Sequence, residues 1–180
     1  MPTLRINKSA QNMPHFITLT VIEWIDIFTK PEYFKTITDS LTYCRKNKGL
    51  KVYEYVIMSN HMHIIIGTPD DDNLVQVLSD FKKHTTREIW KLLEKDNRHY
   101  IVNILNNSYH KKKGYVKQIW QRENYPERIN SETFMLTKVR YIYMNPVKKG
   151  YVSKPEHWQY SSAKNWVLGD HSIIQLDPKE

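Results

Sequence analysis

Residues 56–66 read VIMSNHMHIII and place two histidines one residue apart inside an apolar, β-branched run. Such a run favours a β-strand, in which successive side chains point to opposite faces. His61 and His63 then share one face. The other face carries apolar residues that can pack in a core, Met62, Ile64 and Ile66. Two neighbouring imidazoles on a stiff strand can bind a divalent cation; the alternative is a pair of half-exposed strand histidines.

The chain has 180 residues, enough to bury a core. No linker rich in proline, glycine or serine divides it, so we expect one domain over residues 1–180 with a core from about 15 to 166. There is no run of roughly 20 apolar residues and no signal-peptide pattern, which predicts an intracellular protein without a membrane partner. The single cysteine, Cys44, falls on an apolar helix stripe and is expected in the core.

The formal net charge is +8, which favours polyanionic partners, above all nucleic acid. The charge is clustered at Lys82, Lys83 and Arg87, and again at Lys111, Lys112 and Lys113. We expect these side chains to contact DNA phosphates; the alternative is a solvated basic face. Aromatic residues make up 12% of the chain, and most belong to the core, but exposed rings could stack on unpaired bases.

The first half of the chain predicts four elements. Residues 15–24 alternate like a strand. A helix follows between Thr29, which begins a capping-box pattern, and Gly49, which suits a helix C-cap. A strand over about 50–58 then turns at Ser59 and Asn60 into the histidine strand, as in an antiparallel hairpin.

The second half adds two helices and a strand. A helix starts at Leu74 behind an acidic run, and residues 97–115 lose periodicity, which predicts a mobile excursion. A short strand is expected at 117–121, and a helix capped by residues 130–132 should end near Asn145, because Pro146 disfavours α geometry before it. The order β-α-β-β-α-β-α fits an α+β, ferredoxin-like split βαβ antiparallel sheet with helices on one face and a C-terminal helix. The histidines would lie on the open face or where it meets that helix.

The last of these helices carries a tyrosine and an asparagine on one side. Its core stripe consists of apolar and aromatic residues, Met135, Val139, Ile142 and Tyr143. Tyr141 lies about 200° around the helix from Val139, and Asn145 follows it by one turn on the same face. The alternative is a surface tyrosine beside a helix-ending asparagine.

These groups together suit a metal-assisted cleavage of phosphodiesters. A divalent ion held by His61, His63 and Asn145 could polarise the scissile phosphate and stabilise the leaving 3′ oxygen. Tyr141 would then attack phosphorus. The sequence offers no dedicated general base to take the phenolic proton, so the acceptor would be a nearby phosphate oxygen or water.

Four stretches, which span most of residues 15–166, together resemble one family: residues 56–63 (VIMSNHMH), 120–122 (WQR), 141–150 (YIYMNPVKKG) and 158–162 (WQYSS). They resemble the HUH single-tyrosine transposases, specifically the REP-associated tyrosine transposase branch of the bacterial insertion-sequence transposases. The resemblance implies that His61, His63 and Asn145 bind Mg²⁺ or Mn²⁺ and that Tyr141 is the nucleophile, with Arg122 among the DNA-binding residues.

The resemblance further implies a substrate and products. The substrate would be single-stranded DNA beside a hairpin, and cleavage would leave a 5′-phosphotyrosine and a free 3′-OH that strand transfer can rejoin. It implies a bacterial cytoplasmic, nucleoid-associated protein that acts as a monomer or a homodimer, with the tyrosine helix docked on its own sheet or on a partner's.

One segment departs from the family pattern. Many relatives carry Tyr-Asp-His shortly after Trp-Gln-Arg, whereas residues 125–128 here read YPER. Glu127 could act as an acidic group near the metal, or the change affects only DNA contacts; Tyr125 is a second candidate nucleophile. Two other functions stay open: a domesticated protein that binds DNA hairpins without cleaving them, and a phosphoesterase that uses water as the nucleophile.

Overall fold

The computed structural model describes residues 13–68, 74–108, 117–124 and 126–178. A four-stranded antiparallel sheet with strand order β2-β3-β1-β4 forms its centre. The strands are β1 (His15–Thr20), β2 (Lys51–Ile57), β3 (His61–Gly67) and β4 (Glu127–Arg128). The helices are α1 (Pro31–Lys48), α2 (Leu74–Lys95), α3 (His99–Asn107), α4 (Glu132–Lys148) and α5 (Ala163–Leu168). The predicted α+β, ferredoxin-like class is confirmed.

The two central strands set the register of the histidines. In the antiparallel pair of β1 with β3, Thr18 lies opposite His63 and Thr20 lies opposite His61. Directly opposed residues of such a pair point to the same face, so both threonines share the face of the histidines. The predicted hairpin between β2 and β3 is present, and its turn is closed by the Met58 N–H, which donates to the His61 carbonyl at 2.8 Å.

One face of the sheet, here called the helical face, packs against α1 and α2. Its cluster joins alternate residues of the central strands to the apolar stripes of both helices, among them Ile17, Leu19, Met62, Ile64, Ile37, Leu41, Val77 and Phe81. Cys44 is buried in this cluster, as predicted. Gly49 caps α1 with a left-handed φ of 65°, the conformation that glycine adopts without a steric penalty.

The opposite face, here called the histidine face, carries His61 and His63 and is covered by α4. Ile142 of this helix packs with Phe16 and Ile65 in a smaller cluster that also contains Val56, Met58 and Ile129. Ser131 caps the helix, since its hydroxyl accepts a hydrogen bond from the Phe134 N–H at 3.2 Å. The tyrosine-bearing helix therefore docks on the sheet of its own chain.

The structure corrects two predicted helix ends. The first is the end of α4 near Asn145, because the helix continues through Pro146 to Lys148 and the Lys149 N–H donates to the Asn145 carbonyl. An internal proline costs about 3 kcal/mol, but Asn145 and Pro146 are both buried, and this packing offsets the local preference. The second is the start of α1, where Lys30 rather than Thr29 is the N-cap and makes no side-chain capping bond.

Two predictions between α2 and α4 are also wrong. Residues 99–107, expected within a mobile excursion, form α3, because Ile101 and Leu105 lie one turn apart and are buried against the main cluster. Residues 117–121 make only an isolated bridge, between Trp120 and Val21. The chain beyond Val21 enters a 3-10 turn at 22–24, so the ladder cannot extend, and β4 instead pairs with the start of β1.

Several predictions fall outside the described residues. They concern the acidic run at 70–72, the lysines 111–113 and the alternative nucleophile Tyr125. Among the helices that the structure does describe, none has the length and apolar character needed to cross a bilayer.

Candidate active site

The two histidines of β3 are buried rather than half-exposed. His61 is 6% exposed and His63 is 5% exposed. Their ring centroids lie 4.8 Å apart, with the ring planes inclined by 70°. α4 and the aromatic side chains around them remove the pair from water, which removes the alternative of solvated strand histidines.

The hydrogen bonds of the rings orient both of them. Asn60 donates its amide N–H to the Trp24 carbonyl and the Asp26 carboxylate, so its oxygen is left to accept from His61 Nδ1 at 2.7 Å. His61 Nδ1 therefore carries the proton and Nε2 keeps its lone pair. His63 Nδ1 lies 2.8 Å from the Thr18 hydroxyl. Partners of this kind on the second nitrogen are typical of metal-binding histidines.

Both imidazoles are held neutral. Burial lowers the pKa of His61 from 6.5 to about 4 and the charge of Lys149 lowers it further, whereas the neighbouring Asn145 amide and the Asp26 carboxylate act in the opposite direction. Burial, followed by the neighbouring His61 and then Lys138, lowers the pKa of His63 to about 3. Neutral nitrogen is the form that binds a cation, so at neutral pH neither ring has to lose a proton first.

Two buried polar atoms of the site are left without a hydrogen bond within the described part of the chain. They are His63 Nε2 and Asn145 Oδ1. An unsatisfied buried polar atom costs about 1–3 kcal/mol, so two such atoms beside the pair of imidazoles fit a site that binds a ligand. The set of two imidazoles and one amide oxygen suits a divalent cation. No third histidine, cysteine or carboxylate joins the histidines among the described residues, which leaves Asn145 as the further donor.

Tyr141 lies beside this set and remains open to solvent. Its side chain is 43% exposed, and its ring centroid is 4.9 Å from that of His63 and 6.0 Å from that of Phe16. Tyr143, two residues on, faces the sheet and donates its hydroxyl proton to the Glu54 carboxylate at 3.0 Å. The geometry thus brings the predicted nucleophile next to a predicted ligand and gives the neighbouring tyrosine a structural role.

Two lysines of the site were missed by the sequence reasoning. Lys138 and Lys149 fall on the helix face of Tyr141 and Asn145, with the spacing i, i+3, i+7 and i+11. Lys138 lies 4.3 Å from the Phe16 ring centroid, and the positive charges of Lys138 and Lys149 lower the pKa values of His63 and His61. The spacing was the available signal, and it could have found them.

Glu127 is engaged by one of these lysines. Its carboxylate accepts a hydrogen bond from the Lys138 ammonium at 2.7 Å. It forms no metal-binding group with the histidines among the described residues. The carboxylate therefore positions a cation at the edge of the site.

The basic residues of α2 belong to a different layer from Tyr141, because α2 packs on the helical face. Lys82 is half-buried, donates to the Gln121 carbonyl at 2.8 Å, and has its pKa lowered to about 8 by burial. Lys83 is exposed, as are Arg122 and Arg87, the last of which pairs with Glu88 at 2.9 Å. Of these residues, the structure thus assigns the three on α2 to the helix layer that packs on the helical face.

Residues 10–113 match the family described as "Transposase IS200 like". The chain belongs to this family. The match includes both histidines and ends before α4 begins. The family resemblance inferred from the motifs is confirmed, and it places the chain among DNA transposases.

Two relatives and one solved structure of this family are similar to the chain. A candidate REP-associated tyrosine transposase of Haemophilus influenzae is 31% identical over 107 residues, which are 59% of this chain and 54% of that protein. The REP-associated tyrosine transposase of Escherichia coli is 22% identical over 129 residues, 72% of this chain and 64% of that protein. The chain thus spans about half to two thirds of these relatives.

The solved structure is that of a REP-associated tyrosine transposase bound to a REP hairpin. It superposes with a TM-score of 0.65 at 18% identity and covers 94% of both chains. At this identity the similarity establishes the fold. It shows that the sheet and helices described above form the same fold as in that structure.

Proposed function

We propose that this IS200-like transposase cleaves single-stranded DNA next to a hairpin, through a covalent bond to Tyr141, and transfers the strand to a new 3′-OH. The observation that carries the proposal is a pair of buried polar atoms without a hydrogen bond among the described residues, His63 Nε2 and Asn145 Oδ1, beside the exposed Tyr141 ring. The hairpin substrate is carried over from the relative that was solved with a REP hairpin. On DNA of this kind the protein would work in the cytoplasm, at the nucleoid.

His61, His63 and Asn145 are the residues that would hold Mg²⁺ or Mn²⁺. Such an ion, when bound, supplies Lewis-acid polarisation of a phosphate oxygen. The chain contributes the neutral state of the two imidazoles, which burial maintains, and their orientation, which Asn60 and Thr18 maintain.

The chemical step is a transesterification. The Tyr141 phenolic oxygen forms a bond to phosphorus as the bond from phosphorus to the 3′ oxygen breaks, and the phenolic proton ends on that 3′ oxygen. The products are a 5′-phosphotyrosine and a free 3′-OH. Because one phosphodiester replaces another, no water or external energy source enters, and a second 3′-OH can reverse the step.

Two cations lie on the side of α4 that carries Tyr141 and Asn145, one before and one after them. They would bind the phosphates on either side of the scissile phosphate. Lys138 and Lys149 are eleven residues apart, which is about 16 Å along a helix, a span of a few nucleotides. The basic side chains of Lys83, Arg87, Arg122 and Lys82 would contact the hairpin, as would lysines 111–113, which lie outside the described residues. Lys82 can do so only if its ammonium leaves the Gln121 carbonyl.

We expect one chain to supply all the parts of the site. Tyr141 and His63 are in ring contact within the same chain, which supports cleavage in cis, whether the protein is a monomer or a homodimer. Mixing Tyr141→Phe chains with His63→Ala chains should therefore restore no activity. Recovery of activity in the mixture would show that the tyrosine acts on a partner's histidines.

The main experiment uses labelled hairpin oligonucleotides with randomised unpaired tails, incubated with protein and Mn²⁺ or Mg²⁺. Wild type should form an adduct that resists SDS, and peptide mapping should place the nucleotide on Tyr141. Tyr141→Phe should form none. Tyr143→Phe is the matched control from the same helix and should form it at the wild-type level.

The other outcomes separate the alternatives. An adduct retained by Tyr141→Phe would contradict the assignment, and mapping would then test Tyr125. Metal-independent binding with no adduct from any oligonucleotide would favour a non-cleaving hairpin-binding protein. Cleaved DNA with free ends and no attached protein would favour hydrolysis by water.

A further inference from the structure

Trp24 is a large aromatic side chain that lies at the edge of the candidate active site without being used in the core. Its side chain is 58% exposed, although tryptophan is highly buried on average. Its ring meets His61 edge-on, with the centroids 5.6 Å apart and the planes inclined by 65°. One indole face is thus available beside a candidate metal ligand.

The backbone under this ring is strained. Glu23 and Trp24 both have a φ of 54°, a left-handed conformation that costs non-glycine residues of the order of 1–3 kcal/mol each. Burial of the indole does not offset this cost, since most of the ring remains in solvent. Strain of this kind persists where neighbouring contacts impose it, and it clusters at ligand-binding sites.

Asn60 imposes the position of the tryptophan relative to the histidine. Its amide nitrogen donates to the Trp24 carbonyl at 3.1 Å, and its amide oxygen accepts from His61 Nδ1 at 2.7 Å. Asp26 accepts from the same amide nitrogen at 2.9 Å and from the Ser59 hydroxyl. One side chain therefore links the Trp24 backbone, from which the indole projects, to the His61 imidazole.

A positive charge near Trp24 and His61 indicates which kind of ligand would stack on the indole. Lys149 is exposed, and its charge acts on His61, the ring that contacts Trp24. A flat apolar surface next to a cation suits a nucleobase that is attached to a phosphate, and every base can stack on a tryptophan face. In a duplex both faces of a base are already covered, so the ligand is an unpaired base.

We propose that Trp24 is the stacking platform for an unpaired base of the DNA strand next to the scissile phosphate, on the His61 side of the site. The inference rests on the proposed function, because it takes its strand from that reaction. Trp24 acts as a positioning residue: it holds the base, and through the base it holds the neighbouring phosphate at the histidines.

The test measures equilibrium binding, with a chelator present, to a fluorescent hairpin carrying randomised unpaired tails and to the same hairpin with blunt ends. Wild type should bind the tailed hairpin more tightly. Trp24→Ala and Trp24→Leu should lose about fivefold to a hundredfold of the affinity for the tailed form, the range for one base–aromatic stack. Trp24→Phe should keep most of it.

Trp166→Ala is the control, because Trp166 lies on α5 and is 54% exposed; it should bind like wild type. Circular dichroism checks that each variant folds. Replacing the tail bases by abasic sites, one position at a time, should weaken wild type at one position and leave Trp24→Leu unaffected there. The proposal is overturned if Leu binds as well as Phe, if wild type does not prefer tails, or if no abasic position matters.

The binding assay contains a chelator and does not depend on cleavage. Its result can therefore contradict the stacking proposal without contradicting the proposed function, and the adduct assay can do the reverse. Adduct formation together with Trp24-independent binding would overturn the stacking platform and leave the proposed reaction. Trp24-dependent binding of unpaired tails with no adduct at Tyr141 would support the platform on a protein that does not cleave.

Discussion

The two faces of the sheet differ in what they bury. The helical face buries a large apolar cluster under α1 and α2. The histidine face has only a small apolar cluster under α4, and next to it lie two neutral imidazoles, the Asn145 amide and the Glu54 carboxylate. Ile64 and Ile65 are adjacent in β3 but belong to different faces.

The difference shows where this fold gains stability and where it gives some up. Apolar burial stabilises by roughly 25 cal/mol per Å², whereas buried polar atoms without partners destabilise. Among the described residues, His63 Nε2 and Asn145 Oδ1 lack partners at the histidine face, whereas in the cluster of the helical face Trp90 Nε1 lacks one. The helical face thus holds the strands in place, and the histidine face keeps two unsatisfied polar atoms at the candidate site.

The largest expected difference between the two faces is their contribution to the loss of stability at acidic pH. The unfolded chain binds protons on its histidines near pH 6.5, while His61 and His63 stay neutral in the fold down to about 4 and about 3. The unfolded state then binds more protons, so the free energy of unfolding falls as the pH drops from about 6.5 to about 4. A difference of one in pKa corresponds to about 1.4 kcal/mol, and both rings change the free energy of unfolding in the same direction. Urea titrations at several pH values in this range measure the free energy of unfolding. It should fall steeply with decreasing pH for wild type and less steeply for the His61→Asn, His63→Asn double variant. An equal pH dependence in the two proteins would contradict the prediction.

The next effect compares the two isoleucines of β3. Ile64→Ala should lower the free energy of unfolding by about 2–5 kcal/mol, because it opens a cavity in the larger cluster. Ile65→Ala should fall at the low end of that range, because α4 can settle onto the smaller cluster. Denaturant titrations of the two variants measure the difference. A larger loss for Ile65 would show that the histidine face carries more of the stability than its apolar content indicates.

Metal addition should stabilise the protein through residues of the histidine face alone. At a Mn²⁺ concentration of a hundred times the dissociation constant, binding adds about 2.7 kcal/mol, which raises the Tm of a chain of this size by about 5–10 °C. Asn145→Ala and His63→Ala should lose this shift, and Thr18→Val should reduce it by loosening His63. Thermal unfolding with Mn²⁺ and with chelator provides the comparison. A full shift retained by Asn145→Ala would remove that residue from the ligand set.

Tyr143→Phe should separate structure from chemistry within α4. It removes a donor from the buried Glu54 carboxylate, which then keeps the Ser162 hydroxyl at 2.6 Å, and should cost about 1–3 kcal/mol. Adduct formation should be unchanged at temperatures where the variant is folded. Denaturant unfolding and the adduct assay, run on the same preparation, check both parts. Loss of the adduct in the folded variant would give Tyr143 a role in the reaction.

The smallest effect concerns phosphate contacts. Lys138→Gln should reduce the slope of log affinity against log salt by about one, the loss of one phosphate contact. Lys46→Gln, an exposed lysine of α1 on the other side of the sheet, should leave the slope unchanged. Anisotropy titrations of a labelled hairpin over a range of salt concentrations measure both. Equal slopes for the two variants would place the DNA away from the side of α4 that carries Tyr141 and Lys138.

Much of the fold follows from local patterns in the sequence. Alternation around His61 and His63 predicts their shared face, and the spacing of Val139, Ile142 and Tyr143 predicts the buried side of α4. These predictions succeed because they depend on the geometry of a single strand or helix. The same geometry predicts that Tyr141 and Asn145 share a side, and the structure has them beside the histidines.

The errors occur where distant contacts override local preference. Pro146 ends a helix by its own chemistry, yet α4 continues because Asn145 and Pro146 are packed in place. Residues 99–107 lie in a segment without a clear period, and burial of Ile101 and Leu105 against the main cluster holds them as a helix. The segment at 117–121 has strand composition, but its partner strand turns away at Val21.

The sequence by itself therefore determined the strand that carries the histidines, the helix that carries the tyrosine, and the family. Only the tertiary structure decided how these parts meet: that α4 covers the histidines of its own chain, that burial keeps the imidazoles neutral, and that Asn60 joins Trp24 to His61. The physical reason is the distance along the chain over which each property is determined. Backbone periodicity is set by neighbouring residues, whereas burial, pKa and strain depend on atoms brought together from distant parts of the chain.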